Sequence, residues 1–360
     1  MRFPHALLTV SLAASTLNGV FCSSVSASES LIYADPVGAT LPWGIHIASG
    51  SESTTSMTIM WSTRLFTKSV VTFSADGQNT QQVLGEEIPF SDSNNVQTLH
   101  RAYLTELLPA TNYSYSVGSG LSNETSAIYS FMTPPTIEWF PTVAVFGDMG
   151  ISSNALATLP WLLADAKDGK LDAVVHIGDI AYNLESNNGA TGDSWMVQMT
   201  PLFASFPYFL CPGNHEDAND FYQYRMRLGA IMPPADSPSR GGNGTFSSFN
   251  LGLIHFALVS SEVYMSVQPH SAFLAIEQAQ WLERDLAAVN RSVTPFVVLG
   301  LHQPFYCSPN DDQDDCHQIL SVVRIGLEKI IYDGGVDMVF GAHEHSYGEK
   351  TQHVELSAPH

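Results

Sequence analysis

The chain is short of positive charge. Its 360 residues hold 14 Lys and Arg against 35 Asp and Glu, a formal net charge of −21. Such a surface repels phosphate backbones and anionic headgroups, which argues against nucleic acid or an acidic membrane as a non-specific partner. An anionic substrate has to be drawn in by a local cation. Long apolar runs are also missing beyond the N-terminal segment. Those that occur are short and bounded by Gly, Pro or charge, so none would span a bilayer. There is no internal repeat and no low-complexity tract. What remains, 44% apolar and 14% charged residues, is the composition of a folded protein long enough for two domains.

The first segment reads as a secretory signal over residues 1–27. Arg2 supplies the positive start, "ALLTVSLAASTLNGVF" the apolar core and "VSA" before Ser28 a small-residue cleavage site. The expected location is therefore extracellular, or a lysosome- or vacuole-type lumen. Four N-x-S/T sequons suit that compartment: Asn112, Asn123, Asn243 and Asn290. Of four cysteines, Cys22 leaves with the signal. Cys307 and Cys316 flank the acidic loop "SPNDDQDD" and can close a short disulfide in an oxidising compartment. Cys211, inside the apolar run "YFLC", reads as a buried free thiol.

Two regions differ in pattern. Residues 28–139 look all-β: "TTSMTIMWST", "KSVVTFSA", "HRAYLTEL" and "NYSYSVGS" are short Thr-, Val-, Tyr- and Ile-rich runs separated by turn residues. The stretch "LLPATNYSYSVG" resembles a strand of fibronectin type III domains, so a β-sandwich is expected here. It carries no catalytic constellation. "TPPTIEW" then serves as a linker, and residues 140–360 alternate strand and helix patterns. The strands are "TVAVFGD", "LDAVVHIGD", "FPYFLCPGN", "PFVVLGLH" and "VDMVFGAH". The helices are "ALATLPWLLADAKDG", "AFLAIEQAQWLERDLAAVN" and "ILSVVRIGLEKIIYDGG". That alternation predicts an α/β domain of layered sheets flanked by helices.

Ligands of such sheets gather beyond the carboxyl ends of the strands. There the sequence places Asp148, Asp179, Asn214, His302, His343 and His345. Each has an ordinary reading on its own: a helix cap, a turn, a hydrogen-bonded histidine. Together they form a mixed oxygen and nitrogen set suited to iron or borderline divalent metals, and larger than one tetrahedral ion needs.

The ordered motifs "GDMG", "GDIAY", "GNHE", "VLGLH" and "GAHEHSY" resemble those of the purple acid phosphatases, within the calcineurin-like metallophosphoesterases. "SSFNLGLIHFALVSSEVY", "QAQWLERDL" and "HQPFYCSPNDDQDDC" are similar to the long animal-type branch. The resemblance implies a dinuclear centre. Asp148, Asp179, Tyr182 and His345 would hold ferric iron, and Asp179 would bridge to a divalent zinc, iron or manganese held by Asn214, His302 and His343. Tyr182 would serve as a phenolate ligand, whose charge-transfer band would colour the protein purple. His215 would bind phosphate and help protonate the leaving group, while His176 and His255, within strands, are expected to be structural. The resemblance also implies the Cys307–Cys316 bridge.

Two departures are visible. The loop "CSPNDDQDDC" lacks the neighbouring histidines of the plant enzymes, and the resemblance stops at Gly348, so a catalytic region incomplete at its C-terminal end is expected. The expectation is a secreted, glycosylated acid phosphatase acting on small phosphate monoesters. The alternatives are a phosphodiesterase or nucleotide pyrophosphatase on the same site, and a catalytically silent truncated binding protein.

Overall fold

A computed structural model describes residues 38–345, except 51–52, 93, 122, 152–154, 229–236, 267–270, 308–314 and 319–320. The expected signal segment and the tail from Ser346 lie outside the described residues.

The N-terminal strands are β1 (Trp43–Ser49), β2 (Met57–Thr63), β3 (Val70–Ala75), β4 (Gln81–Leu84), β5 (Glu86–Asp92), β6 (Asn95–Leu104), β7 (Asn112–Gly118) and β8 (Tyr129–Met132). They form two antiparallel sheets, ordered β1-β2-β6-β5 and β4-β3-β7-β8. The alternation in β7 drives Tyr113, Tyr115 and Val117 inward. There they meet Ile47, Ile59 and Trp61 of the other sheet in one apolar core. The sandwich expected from the sequence is present.

The second region contains β9 (Val143–Phe146), α1 (Ala155–Lys167), β10 (Ala173–Ile177), α2 (Ala190–Phe203), β11 (Tyr208–Cys211) and α3 (Ala218–Leu228). It continues with β12 (Arg240–Gly241), β13 (Phe246–Leu251), β14 (Ile254–Leu258), α4 (Glu262–Met265) and α5 (Ser271–Ala288). Last come β15 (Phe296–Gly300), α6 (Val322–Asp333) and β16 (Met338–Phe340). Strands β9, β10 and β11 make a parallel sheet, while β12 to β16 lie in sequence order with β14, β15 and β16 parallel. Val175, Ile177 and Phe209 of one sheet pack on Ile254, Phe256 and Val298 of the other. The outer faces are covered by α1 and α2 on one side and by α5 and α6 on the other. Four layers result, with strands buried on both faces, which explains their continuous apolar runs.

The sandwich does not hang from a tether. Trp43 and Ala48 of β1 belong to the same apolar cluster as α1 and α2, and the Tyr115 hydroxyl donates to the Ala204 carbonyl at 2.7 Å. Under this seam the buried Asp193 of α2 meets Arg227 at 2.6 Å and Arg64 at 2.7 Å. Gln97 and Asn95 of β6 donate to the same carboxylate at 3.1 and 3.2 Å. A buried charge needs such partners, and here they come from both domains.

Cys307 and Cys316 form a disulfide, with Cα atoms 5.6 Å apart, and Cys211 is buried and free. Among the sequon asparagines, Asn123, Asn243 and Asn290 are exposed, and Asn112 at the start of β7 is half-buried.

Candidate metal centre

The five strand ends converge. Asp148 follows β9, Asp179 follows β10, Asn214 follows β11, His302 follows β15, and His343 and His345 follow β16. The two parallel arrays thus empty their carboxyl ends into one place.

Tight backbone makes the convergence possible. Asp148, Asp179, Tyr182, His343 and His345 all sit at left-handed φ, between 43° and 69°. Such backbone costs about 1–3 kcal/mol per non-glycine residue and persists where surrounding packing over-determines it. Two glycines carry the closest approaches. A Cβ on Gly178 would come 2.4 Å from the His302 ring nitrogen Nδ1, and one on Gly213 would come 2.3 Å from Asp179 Oδ1. Only glycine fits at either position.

The side chains fall into two groups, with Asp179 in the second. In the first, the Tyr182 hydroxyl lies 2.6 Å from His345 Nε2 and 3.5 Å from Asp148 Oδ1, and His345 Nε2 is 3.2 Å from Asp148 Oδ1. In the second, His302 Nε2 lies 3.1 Å from Asn214 Oδ1 and 3.3 Å from Asp179 Oδ1. The ligand atoms of Asp179, His302 and His343 lie within 4.8 Å of one another. Asp179 and His302 are buried, whereas His345 is open to solvent on one side.

The electrostatics describe a place that wants a cation. Burial alone would lower the His302 pKa, yet the Asp179 hydrogen bond and the charges of Asp179 and Asp148 push it up to about 9. Burial raises the Asp148 carboxyl. Tyr182 is raised by burial and by the charges of Asp148 and Asp179, so a phenolate there calls for a compensating positive charge. Two carboxylates, an amide oxygen, a phenol and three imidazoles are a donor set that fits two ions of the hard-to-borderline kind. His302 Nδ1–H donates to the Ile177 carbonyl at 3.0 Å, which leaves Nε2 as the ring atom available to a metal.

His215 stands beside this set. Its Nδ1 lies 2.7 Å from Asn183 Oδ1, its backbone N–H donates to Asp179 Oδ1 at 3.1 Å, and its Nε2 is 3.7 Å from Asp179 Oδ2. The ring packs against Tyr182 with centroids 4.7 Å apart. His176 and His255 lie elsewhere. His176 is buried against the Tyr208 hydroxyl at 2.9 Å and held neutral by burial. His255 is clamped between Asn250 and Asp285 at 2.7 and 2.9 Å.

Sequence reasoning passed over two residues. Glu216, 2% exposed, accepts backbone hydrogen bonds from Gly213, Asp179 and Ile180, each at 2.9 Å. It ties the β10 and β11 turns together, and burial followed by the charge of Asp179 raises its pKa to about 7. Asn183 fixes the His215 ring. Glu216 closes the motif "GNHE" and Asn183 directly follows "GDIAY", but a side chain that bonds backbone or a neighbour has no periodicity to betray it. A second grouping of ligand types, Cys307, Cys316, His317 and Glu344, has its two sulfurs in the disulfide and is no metal centre in this state.

Comparison with known proteins identifies the family. The profile of the purple acid phosphatase N-terminal domain matches residues 42–133, and that of calcineurin-like phosphoesterase matches residues 141–347. Acid phosphatase type 7 of Homo sapiens is 37% identical over 321 residues, covering 85% of this chain and 70% of its own. The Danio rerio protein of that name is 34% identical, covering 88% and 73%. The solved purple acid phosphatase from yellow lupin (Lupinus luteus) seeds shares the fold, with a TM-score of 0.68 at 20% identity, over 85% of this chain and 59% of that one. The chain belongs to the purple acid phosphatase family of calcineurin-like phosphoesterases, a family of hydrolases.

Proposed function

We propose that this chain is a secreted, glycosylated acid phosphatase that hydrolyses small phosphate monoesters at a dinuclear centre of ferric iron and a divalent zinc, iron or manganese. The reading rests on one observation above all: strand ends of both sheets gather two groups of ligand-type side chains, the buried Asp179 with His302 and His343, and Asp148 with Tyr182 and His345. Asp148, Tyr182 and His345 would hold the iron, Asn214, His302 and His343 the divalent ion, and Asp179 would be shared. When bound, such a pair supplies Lewis acidity and positive charge to a phosphate oxygen and lowers the pKa of water.

The remaining roles belong to the chain. The Asp148 carboxylate holds the His343 backbone, and the His302 to Ile177 hydrogen bond orients the His302 imidazole. Glu216 holds the backbone beneath Asp179. The Nδ1–H of His215 donates to Asn183, which turns Nε2 toward the centre. From there it can bind a phosphate oxygen or pass a proton to the departing alkoxide. With a surface of net charge −21, attraction for an anionic ester comes from this centre alone or from nearby cations.

The test is hydrolysis of an alkyl monoester, an aryl monoester and a diester across acidic to neutral pH by the metal-loaded protein. Monoester turnover with its maximum in acid is expected. A diester preferred over both monoesters would overturn the substrate assignment.

A further inference from the structure

Away from the metal centre, a cavity of about 310 Å³ opens at the seam between the sandwich and the α/β domain. That volume lies in the lower part of the range for small-molecule sites. Its floor is apolar. Met60 of β2 and Ile88 of β5 meet Met226 of α3, in the cluster that also contains Phe90 and Leu99. Its walls are cationic: Arg101 from β6, Arg225 from α3 and Arg240 from β12.

Three of 14 Lys and Arg residues converging on one cavity is notable in a chain with 35 Asp and Glu. None of the described residues lining it is acidic. Two carboxylates among the described residues reach these arginines, and both are partly exposed and stand outside the lining. Arg101 meets Glu86 at 3.4 Å, and Arg225 meets Asp220 at 3.1 Å. Arg101 also has a buried Nε with no hydrogen-bond partner. Burial and the charge of Arg101 both depress Arg240. Mutually repelling guanidinium groups over an apolar floor are stabilised by an anion between them, and their forked donors fit a planar or tetrahedral oxyanion.

We propose that this cavity binds a small organic oxyanion, a phosphate or carboxylate head on an apolar body, at a site separate from the metal centre. The head would lie between Arg101, Arg225 and Arg240, and the body would rest on Met60, Ile88 and Met226. Inorganic phosphate, which lacks the apolar body, would prefer the metal centre. The ligand would touch both domains at once, so its binding would stabilise their packing.

The test is calorimetric titration of the metal-loaded protein with phenylphosphonate, with benzoate and with inorganic phosphate. Phenylphosphonate should fill two sites per chain, and benzoate or phosphate alone should show which head group the cavity favours. In the double variant Arg101→Gln, Arg240→Gln, and separately in Arg225→Gln, the second site should weaken by about ten-fold or more, with phosphatase activity and circular dichroism unchanged. Arg225 lies on the half-exposed side of α3, so that variant retains a test if the double variant fails to fold. One site for phenylphosphonate in the parent, or two sites undiminished in the variants, overturns the proposal. The titration is repeated after removal of N-linked glycan, because Asn243 stands at the cavity rim. A second site that exists only after removal also overturns it, since the cavity would then be the glycan's seat.

Discussion

The backbone N–H of His343 donates to Asp148 Oδ2 at 2.9 Å across 195 residues of sequence. Through that bond the turn after β9 and the turn after β16 fix each other. The other oxygen of the same carboxylate is left facing Tyr182 and His345. One residue therefore both ties the sheet ends together and presents a carboxylate oxygen to the candidate centre.

Tyr182→Phe tests the phenol. The variant keeps the ring that packs on His215 and loses the oxygen that faces Asp148 and His345. The visible absorption of the iron-loaded protein should vanish while its circular dichroism stays. Hydrolysis should fall less than colour does, because Asp148, Asp179 and His345 remain. A variant that stays purple would assign the coloured ligand to another residue.

His215→Ala and Asn183→Leu separate acid from positioner. The first removes the proton donor and should slow alkyl esters by about 10²–10⁴-fold, aryl esters with acidic leaving groups much less. The second leaves the imidazole but frees its orientation, so it should show the same leaving-group bias at smaller amplitude. Metal content should be unchanged in both. Equal slowing of the two ester classes would leave His215 as a phosphate binder only.

Much of this site was legible because its chemistry is carried by residue types at strand ends. Asp148, Asp179, Asn214, His302 and His343 each follow a continuous apolar run, and a strand buried on both faces announces its own end. Helices α5 and α6 were legible from their periodicity, within a few residues of their observed ends. Helix α2 was not: "ATGDSWMVQMTPLF" mixes Thr, Gly, Asp and Pro, and the residues that it buries include Thr191, Gly192 and Asp193. Its stability comes from tertiary partners, the apolar cluster that takes Trp195, Met199 and Phe203 and the arginines Arg227 and Arg64 on Asp193, which no local window contains. Helix α3 was missed for a related reason, since Asn219, Asp220 and Phe221 sit at left-handed φ where it begins. Strands β4 and β5, half exposed and rich in Gln and Glu, lack the apolar alternation by which a strand is recognised.

The seam carries a stability prediction. Asp193→Ala removes the partner of the buried Arg227 and leaves that guanidinium uncompensated, a change that costs roughly 3–5 kcal/mol. Urea unfolding should show the loss, and the sandwich should become accessible to protease before the α/β core does. Loss below about 1 kcal/mol would show that Gln223 and the Gly189 carbonyl, which also bind Arg227, suffice.

Acid should weaken the sandwich through His100. This ring is buried between Thr63 and Ser69, at 2.8 Å from each hydroxyl, and stacked on Trp61. Burial lowers its pKa from 6.5 to about 4. The unfolded chain therefore binds the proton first, and stability present above pH 6.5 is lost as pH falls toward 4, by on the order of 2–3 kcal/mol. His100→Gln keeps hydrogen-bonding capacity without the titration, so the slope of stability against pH should flatten in that window. An unchanged slope would place the acid sensitivity elsewhere.

The central claim is that seven side chains from both sheets hold two metal ions with Asp179 between them. Elemental analysis of the purified protein, beside the Asp179→Asn variant, tests it most directly. Two metals per chain, one of them iron, are predicted for the parent, with the variant losing the pair because both groups share that carboxylate. A parent that binds no metal, or a single ion that survives Asp179→Asn, would contradict the account.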